Sequence, residues 1–106
     1  MEEDFIQVFV TVDDEDTAKD ISESLVSKKL AGCVQITSPI ESIYTWKGEV
    51  ERSEEWMLMI KSKASLYGEL EKEVKQLHPY ETPEIIAHEI IMENEGDLRW
   101  VDKNLK

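Results

Sequence analysis

The chain has 106 residues and a net charge of −12, with 24 acidic against 12 basic residues. Hydrophobic residues make up 41% of the chain and charged residues 34%, which is typical of a folded protein rather than a disordered one. We predict a single domain over residues 1–106. A surface this acidic repels the phosphates of nucleic acid and the anionic face of a membrane, so neither is an expected partner.

The sequence lacks the patterns that direct export or membrane insertion. Its first ten residues contain no basic segment followed by a long apolar run, so we see no signal peptide. No apolar run approaches the roughly 20 residues that span a bilayer. Cys33 is the only cysteine, which excludes an internal disulfide. We therefore expect a cytoplasmic protein.

The first predicted elements are a strand and a helix. Phe5–Val12 has the composition of a strand with apolar residues on both faces. A helix over residues 14–30 follows, with apolar residues at helical spacing. Asp13 or Asp14 can cap its start, and Gly32 can provide its stop.

The next segment predicts two long strands joined by a tight turn. Residues 33–46 form the first strand, in which Pro39 indicates a bulge or an edge position because it has no N–H to donate. Lys47 and Gly48 form the turn, and residues 50–61 return as the second strand.

The last third predicts a helix, a strand and a terminal helix. Ser62 can cap a helix that ends near His78, a strand covers residues 85–93, and residues 97–105 form the terminal helix. The order is β-α-β-β-α-β with a short C-terminal helix. This order is that of an α+β, ferredoxin-like fold, an antiparallel sheet with two helices on one face.

The second face of this sheet also contains apolar residues. Residues 56–60 and 85–92 place large apolar side chains on both faces of their strands. Burying one such side chain contributes about 1.5–3 kcal/mol, so a solvated face would lose several of these contributions. We expect a homo-oligomer that covers this face; the alternative is that the terminal helix folds back over it.

The stretch HPYETPEII (78–86) admits two interpretations. Pro79 and Pro83 disfavour helical backbone at the residues before them, so the stretch can serve only to end a helix and delay a strand. Alternatively, this rigid loop presents His78, Tyr80, Glu81 and Glu84 for binding. Histidine is a common metal ligand and proton donor, but a metal site usually has three or four ligands.

Other candidate residues have simpler structural explanations. His88 lies in mid-strand on an apolar face, which is typical of a packed core histidine. Tyr44 and Trp46 could stack on a ligand or pack within the hairpin. The sequence contains no GxSxG, P-loop, HExxH or GxGxxG motif, so we expect no enzymatic activity.

Three segments together resemble the CutA family of divalent-cation tolerance proteins. They are TAKDISESLVSKKLAGCVQI (17–36), SIYTWKGEVE (42–51) and HPYETPEII (78–86). The resemblance implies a ferredoxin-like fold similar to that of PII signalling proteins, and a homotrimer whose long hairpins join subunits. It also implies that HPYETPEII lines a cleft between subunits, near the hairpin aromatics.

The family resemblance also implies candidate site residues. His78 and Glu84 match the motif associated with copper and other divalent cations, and Glu81 is a possible third ligand. Some family members have a cysteine where this chain has Val10 and a second histidine where it has Leu77. A strong soft-metal site is therefore not expected, and Cu(II), Ni(II) or Zn(II) would suit the remaining ligands better than Cu(I).

Three functions remain open at this stage. The first is a trimeric protein that binds divalent cations such as Cu(II) through His78, Glu81 and Glu84. The second is a PII-like sensor of a small ligand, with a pocket formed by Tyr44, Trp46 and Tyr80 and a positive charge from Lys61. The third is a scaffold whose trimer is itself the function, for which His78→Ala would have no measurable effect.

Overall fold

The computed structural model describes residues 4–106 of the chain. Its strands and helices follow the order β-α-β-β-β-α-β-α, with a 3₁₀ turn ahead of the second helix. In chain order the elements are β1 (Phe5–Val12), α1 (Glu15–Ser27), β2 (Cys33–Ile36), β3 (Ile40–Trp46), β4 (Glu49–Lys63), the 3₁₀ turn (Ala64–Leu66), α2 (Tyr67–Leu77), β5 (Ile85–Glu89) and α3 (Asp97–Lys103).

The strands form an antiparallel sheet in the order β2-β4-β1-β5, and β3 pairs with the first part of β4. Val8 in β1 lies between Ile60 in β4 and Ala87 in β5. Since β1 pairs with β4 only from Trp56 onwards, β3 and the start of β4 extend beyond it as a hairpin. The molecule is therefore 46 Å long but only 25 by 24 Å across. The predicted α+β fold with an antiparallel sheet is confirmed.

The predicted turn at Lys47 and Gly48 joins β3 to β4. Their φ angles are 51° and 82°, and a two-residue type I′ turn requires positive φ at both positions. Glycine adopts such an angle freely, whereas lysine does so against the steric preference of its Cβ. Trp46 and Glu49 close the turn as the first pair of the ladder.

The start of α1 follows the prediction, but its end does not. The Oδ2 atom of Asp14 accepts the N–H of Thr17 at 2.8 Å and caps the helix. The helix stops at Ser27 because Lys29 has a φ of 60° and the next N–H, that of Leu30, turns back to a carbonyl of the helix. This is a Schellman-type end with lysine in the position that glycine usually occupies.

Gly32, predicted as that helix stop, instead permits close packing of α3. A Cβ atom at this position would lie 2.9 Å from Cγ1 of Val101 and 3.0 Å from the Val101 carbonyl oxygen. Val101 is fully buried, so this contact packs α3 closely against the chain just before β2. Lys61 and Lys63 in β4 add ion pairs to Asp97 and Asp102 of α3.

Two other predicted boundaries are wrong. Residues 33–46 form two strands rather than one, with a break at 37–39, and Pro39 lies in this break. Ser62 is not a helix cap: it is buried within β4, and its Oγ donates to the carbonyl of Leu30 at 2.7 Å. The second helix begins five residues later, at Tyr67.

Strand β5 is shorter than the predicted 85–93. Its ladder with β1 ends where β1 begins, with the N–H of Ile90 donating to the carbonyl of Phe5 at 2.9 Å. Ile91 and Met92 lie beyond this point and are 79% and 84% exposed. No helix within residues 4–106 is both long and apolar enough to cross a bilayer.

Helices α1 and α2 cover one face of the sheet, whereas α3 reaches only the end of the other face, at Lys61 and Lys63, and leaves most of it open. Alternate residues of β1, such as Val8 and Val10, are fully buried on the covered face, beside Leu58 and Ile60 of β4. The open face carries these side chains of β1, β4 and β5: Phe5, Gln7, Phe9, Thr11, Met57, Met59, Lys61, Lys63, Ile86 and His88.

His88 is not a core residue, contrary to the prediction. It lies on the open face and is exposed, and its ring meets the edge of Phe9 with 5.5 Å between centroids. The predicted alternation of β5 is present, but its even-numbered side chains point away from the helices.

Candidate functional site

A groove of about 390 Å³ lies where the β3–β4 hairpin, the end of β1 and the α2–β5 connection meet. We call it the hairpin groove. Its position follows from the fold, because the hairpin projects past β1 and the connection crosses beside it. The residues that line it are Thr11, Tyr44, Trp46, Glu55, Tyr80, Glu81, Thr82 and Glu84.

The HPYETPEII segment begins at the end of α2. His78 has extended backbone, with ψ at 135°, as expected for a residue before proline. Its N–H still donates to the Val74 carbonyl at 2.9 Å, so it closes the helix. The segment from there to β5 contains no helix or strand, which agrees with the effect of Pro79 and Pro83.

The His78 ring is buried and fixed by two hydrogen bonds. Its Nε2 lies 2.7 Å from the carbonyl oxygen of Thr11, which can only accept, so Nε2 carries the proton. Its Nδ1 accepts the backbone N–H of Tyr80 at 3.2 Å. The two hydrogen bonds connect the loop to β1 behind the groove.

These bonds leave no free lone pair on His78. A metal ligand needs an unprotonated nitrogen, so coordination would require Nδ1 to release the Tyr80 N–H. Within residues 4–106, no group of three or more His, Cys, Asp and Glu side chains is arranged to hold a metal. The predicted set of His78, Glu81 and Glu84 therefore does not fit a closed metal centre in one chain.

Tyr80 and Glu55 form the polar wall of the groove. The Tyr80 hydroxyl donates to Oε2 of Glu55 at 2.8 Å, and Glu55 is only 6% exposed. Burial raises the pKa of Tyr80 well above its ordinary value, and the hydrogen bond to Glu55 with the negative charges of Glu55 and Asp13 raises it further. Tyr80 therefore remains a protonated donor at neutral pH.

Glu55 was not among the residues predicted from sequence. It lies in the acidic hairpin run EVERSEE, where it resembles the solvated glutamates around it. One signal does distinguish it: Glu55, Met57 and Met59 have the two-residue spacing that places side chains on one face of a strand. Extending this spacing back from Met57 would have placed Glu55 on the same face as the two methionines.

The groove brings together the three aromatic residues that the sequence suggested for a ligand. Tyr44 and Trp46 are two residues apart on β3, so their side chains share a face. They are 43% and 56% exposed, and Tyr80 completes the aromatic lining. Glu81 and Glu84 are exposed at the same groove.

Lys61, the fourth predicted ligand-binding residue, lies elsewhere. It is six residues beyond Glu55 on β4, which is about 20 Å along an extended strand. Its Nζ atom lies 3.4 Å from Oδ2 of Asp97 in α3. The charged lining of the groove is therefore negative, and its chemistry favours cations and flat apolar groups.

Comparisons with known proteins identify a family. The sequence profile described as "CutA1 divalent ion tolerance protein" matches residues 6–104. The chain is 40% identical over 97 residues to the "Divalent-cation tolerance protein CutA" of Thermus thermophilus, covering 92% of this chain and 94% of that protein. It is 43% identical over 93 residues to "Protein CutA" of Mus musculus, covering 88% of this chain but only 52% of the mouse protein.

A solved structure agrees with the sequence matches. The crystal structure of CutA1 from Oryza sativa superposes with a TM-score of 0.95 at 38% identity, covering 98% of this chain and 95% of that one. The sequence, the strand order and the helices thus agree over nearly the whole chain. It belongs to the CutA1 family of divalent ion tolerance proteins.

Proposed function

We propose that this chain supports tolerance of divalent cations by binding cations at the hairpin groove, without enzymatic chemistry. The observation that carries the proposal is the charge of the groove. Its carboxylates are Glu55, Glu81 and Glu84, and none of its lining residues among 4–106 is Lys, Arg or His. Carboxylate oxygens are ligands for divalent cations, and the relatives' names associate the family with the same ions.

Cu(II) is the cation that we propose to test first. Glu81 and Glu84 are exposed and offer oxygen ligands, whereas both ring nitrogens of His78 already form hydrogen bonds to the backbone. Two carboxylates are fewer than the three or four protein ligands that close a structural metal site. We therefore expect binding that is weak and exchangeable, with the ion as cargo rather than as a resident cofactor.

A competitive Cu(II) titration tests the proposal. The double variant Glu81→Gln, Glu84→Gln should bind at least tenfold more weakly, a loss of about 1.4 kcal/mol. The control is Glu23→Gln, which removes an exposed carboxylate of α1 far from the groove. Equal weakening in both would mean that copper meets only a diffuse acidic surface, and the groove would be rejected as the site.

We further propose that the working form is a cytoplasmic homotrimer of ferredoxin-like, PII-like subunits. The support is unburied apolar surface: Phe9, Met57 and Met59 are only partly covered on the open face, and Ile91 and Met92 are exposed beyond β5. Contiguous apolar surface of this kind favours association. Sedimentation should give three times the chain mass of 12.3 kDa, and a monomer at micromolar concentration would contradict the proposal.

A second candidate is a sensor of a small organic ligand. The aromatic lining by Tyr44, Trp46 and Tyr80 favours it, since bare metal ions do not require aromatic side chains. A compound that raises the melting temperature where Cu(II) does not would support the sensor. If neither changes melting or mass, the trimer alone is the function, as in the scaffold hypothesis.

A further inference from the structure

The charged side chains that line the hairpin groove are of one sign. Of the eight lining residues within the described part of the chain, Glu55, Glu81 and Glu84 are carboxylates, and none is Lys, Arg or His. The chain as a whole has a net charge of −12, so the field around it adds to the same sign. Anionic ligands are repelled from such a groove and cationic ones are concentrated in it.

The aromatic side chains add a second preference for cations. The face of an indole or phenol ring attracts a cation within about 6 Å of its centroid. The Nζ atom of Lys47 already lies 5.8 Å from the centroid of the Trp46 ring. Within one subunit Trp46 is more than half exposed and Tyr44 is 43% exposed, so both residues present surface to the groove.

The buried wall of the groove provides a fixed negative group. Glu55 is almost fully buried, and the hydrogen-bond partner of its Oε2 atom is the neutral hydroxyl of Tyr80. A buried carboxylate is costly unless charge or hydrogen bonds compensate for its lost hydration. A cation in the groove would supply compensating charge beside Glu55.

The volume of the groove exceeds what a bare ion needs. About 390 Å³ lies within the range of sites that hold small organic molecules. Aromatic rings with nearby carboxylates are the side chains that recognise ammonium groups. We propose that the hairpin groove binds a small organic ammonium ion, held by the rings of Tyr44, Trp46 and Tyr80 and by the carboxylates of Glu55 and Glu84.

This inference rests on the sensor function proposed above and specifies the class of its ligand. It also changes the expectation from sequence, which assigned the ligand a partner in Lys61. That expectation suits an anion, but the Lys61 ammonium is paired with Asp97 on α3. The structure thus assigns the opposite charge to the ligand.

Titration with choline, putrescine and 3,3-dimethyl-1-butanol tests the proposal, with binding followed by calorimetry. Choline represents a quaternary ammonium, putrescine a protonated amine, and the alcohol is a neutral analogue of choline of the same shape. We expect at least one of the two cations to bind at least tenfold more tightly than the alcohol. Equal binding of all three would overturn the ammonium assignment while leaving an apolar sensor site.

Variants locate the binding site. Trp46→Leu and Glu84→Gln should each weaken binding of the tighter cation at least fivefold, because they remove a ring and a carboxylate of the groove. Trp100→Leu is the matched control, since Trp100 is a similarly exposed tryptophan on α3. Equal losses in Trp46→Leu and Trp100→Leu would overturn the site, as would unchanged binding in both groove variants.

A separate outcome would reject the sensor function itself. If neither cation binds, and a neutral fragment set also produces no shift of the Tyr80 or Trp46 signals in NMR spectra, the groove is not an organic ligand site. Cu(II) binding measured on the same samples then decides whether the divalent-cation proposal stands without the sensor.

Discussion

The helix-covered core and the hairpin groove are built in different ways. The core consists of fully buried apolar residues on adjacent elements, such as Val8, Val10, Leu58 and Ile60. The groove depends on single polar contacts between distant parts of the chain, such as His78 with Thr11, 67 residues apart. Many contacts share the stabilisation of the core, so substitution there should change stability most. Few other contacts support each hydrogen bond of the groove, so the loss of one should change the geometry of the groove more than the stability of the fold.

The largest effect that we expect comes from the core. Leu58→Ala should lower the free energy of unfolding by about 2–5 kcal/mol, because it removes a fully buried side chain and leaves a cavity. Urea denaturation measures this change. Val26→Ala on the exposed side of α1 is the control and should cost less than about 0.5 kcal/mol. Similar losses in both would contradict a core confined to the covered face.

The two histidines provide the next test. His78→Ala should cost about 1–3 kcal/mol, because it leaves the buried Thr11 carbonyl without its donor and frees the Tyr80 N–H. His88→Ala should cost less than His78→Ala, since within one subunit its ring is exposed and meets only the edge of Phe9. Urea denaturation of both variants, with Tyr80 observed by NMR, checks the pair. A larger loss for His88→Ala would place it at a buried interface between subunits.

The core was largely predictable from sequence, and the groove was not. Apolar spacing located β1, α1 and α2 within a few residues, because each signal is local. The errors fell where a distant contact decides the structure: Ser62 bonds to the Leu30 carbonyl, and Gly32 packs against Val101. Such contacts leave no periodic trace in the sequence.

The candidate site shows the same division. The sequence grouped Tyr44, Trp46 and Tyr80 as one candidate pocket, and all three line the groove, but their binding role stays a prediction. The protonation of His78 depends on a carbonyl in β1, which loop composition could not indicate. Glu55 was missed because it lies in a run of exposed glutamates in the sequence, although it is itself only 6% exposed.

The hydrogen bond between Tyr80 and Glu55 should have a smaller effect on stability. Tyr80→Phe should cost about 1 kcal/mol at pH 7, because the ring remains and one hydrogen bond is lost. Folding raises the pKa of Tyr80 above its ordinary value of 10.0. The hydroxyl therefore contributes its full stabilisation to the folded state below pH 10, and this stabilisation falls as the pH rises from 10 towards the raised pKa. Urea denaturation between pH 7 and pH 11 should therefore show the difference between wild type and variant shrinking above pH 10. A constant difference would contradict the raised pKa.

Glu73 joins the outer surfaces of α1 and α2 and should give the smallest effect. Its Oε2 accepts hydrogen bonds from Lys28 Nζ and from Ser24 Oγ. These contacts are polar, like those of the groove, but they lie outside the proposed ligand site. The hydrogen bond from Lys28 and then that from Ser24 lower the pKa of Glu73 below 4.5. Its contribution is therefore present above pH 4.5 and lost as pH falls through the lowered value.

Glu73→Gln should cost about 0.2–1 kcal/mol at pH 7, the range for ion pairs near the surface. The cost should fall towards zero below the lowered pKa, where wild-type Glu73 is itself uncharged. Urea denaturation at pH 7 and at a series of lower pH values measures this fall, with Glu23→Gln on the exposed side of α1 as the control. If Glu73→Gln lowered the free energy of unfolding more than Tyr80→Phe, a polar contact between the helices would stabilise the fold more than the groove contact does. That result would contradict the distinction between a fold stabilised by apolar core contacts and a groove shaped by polar ones.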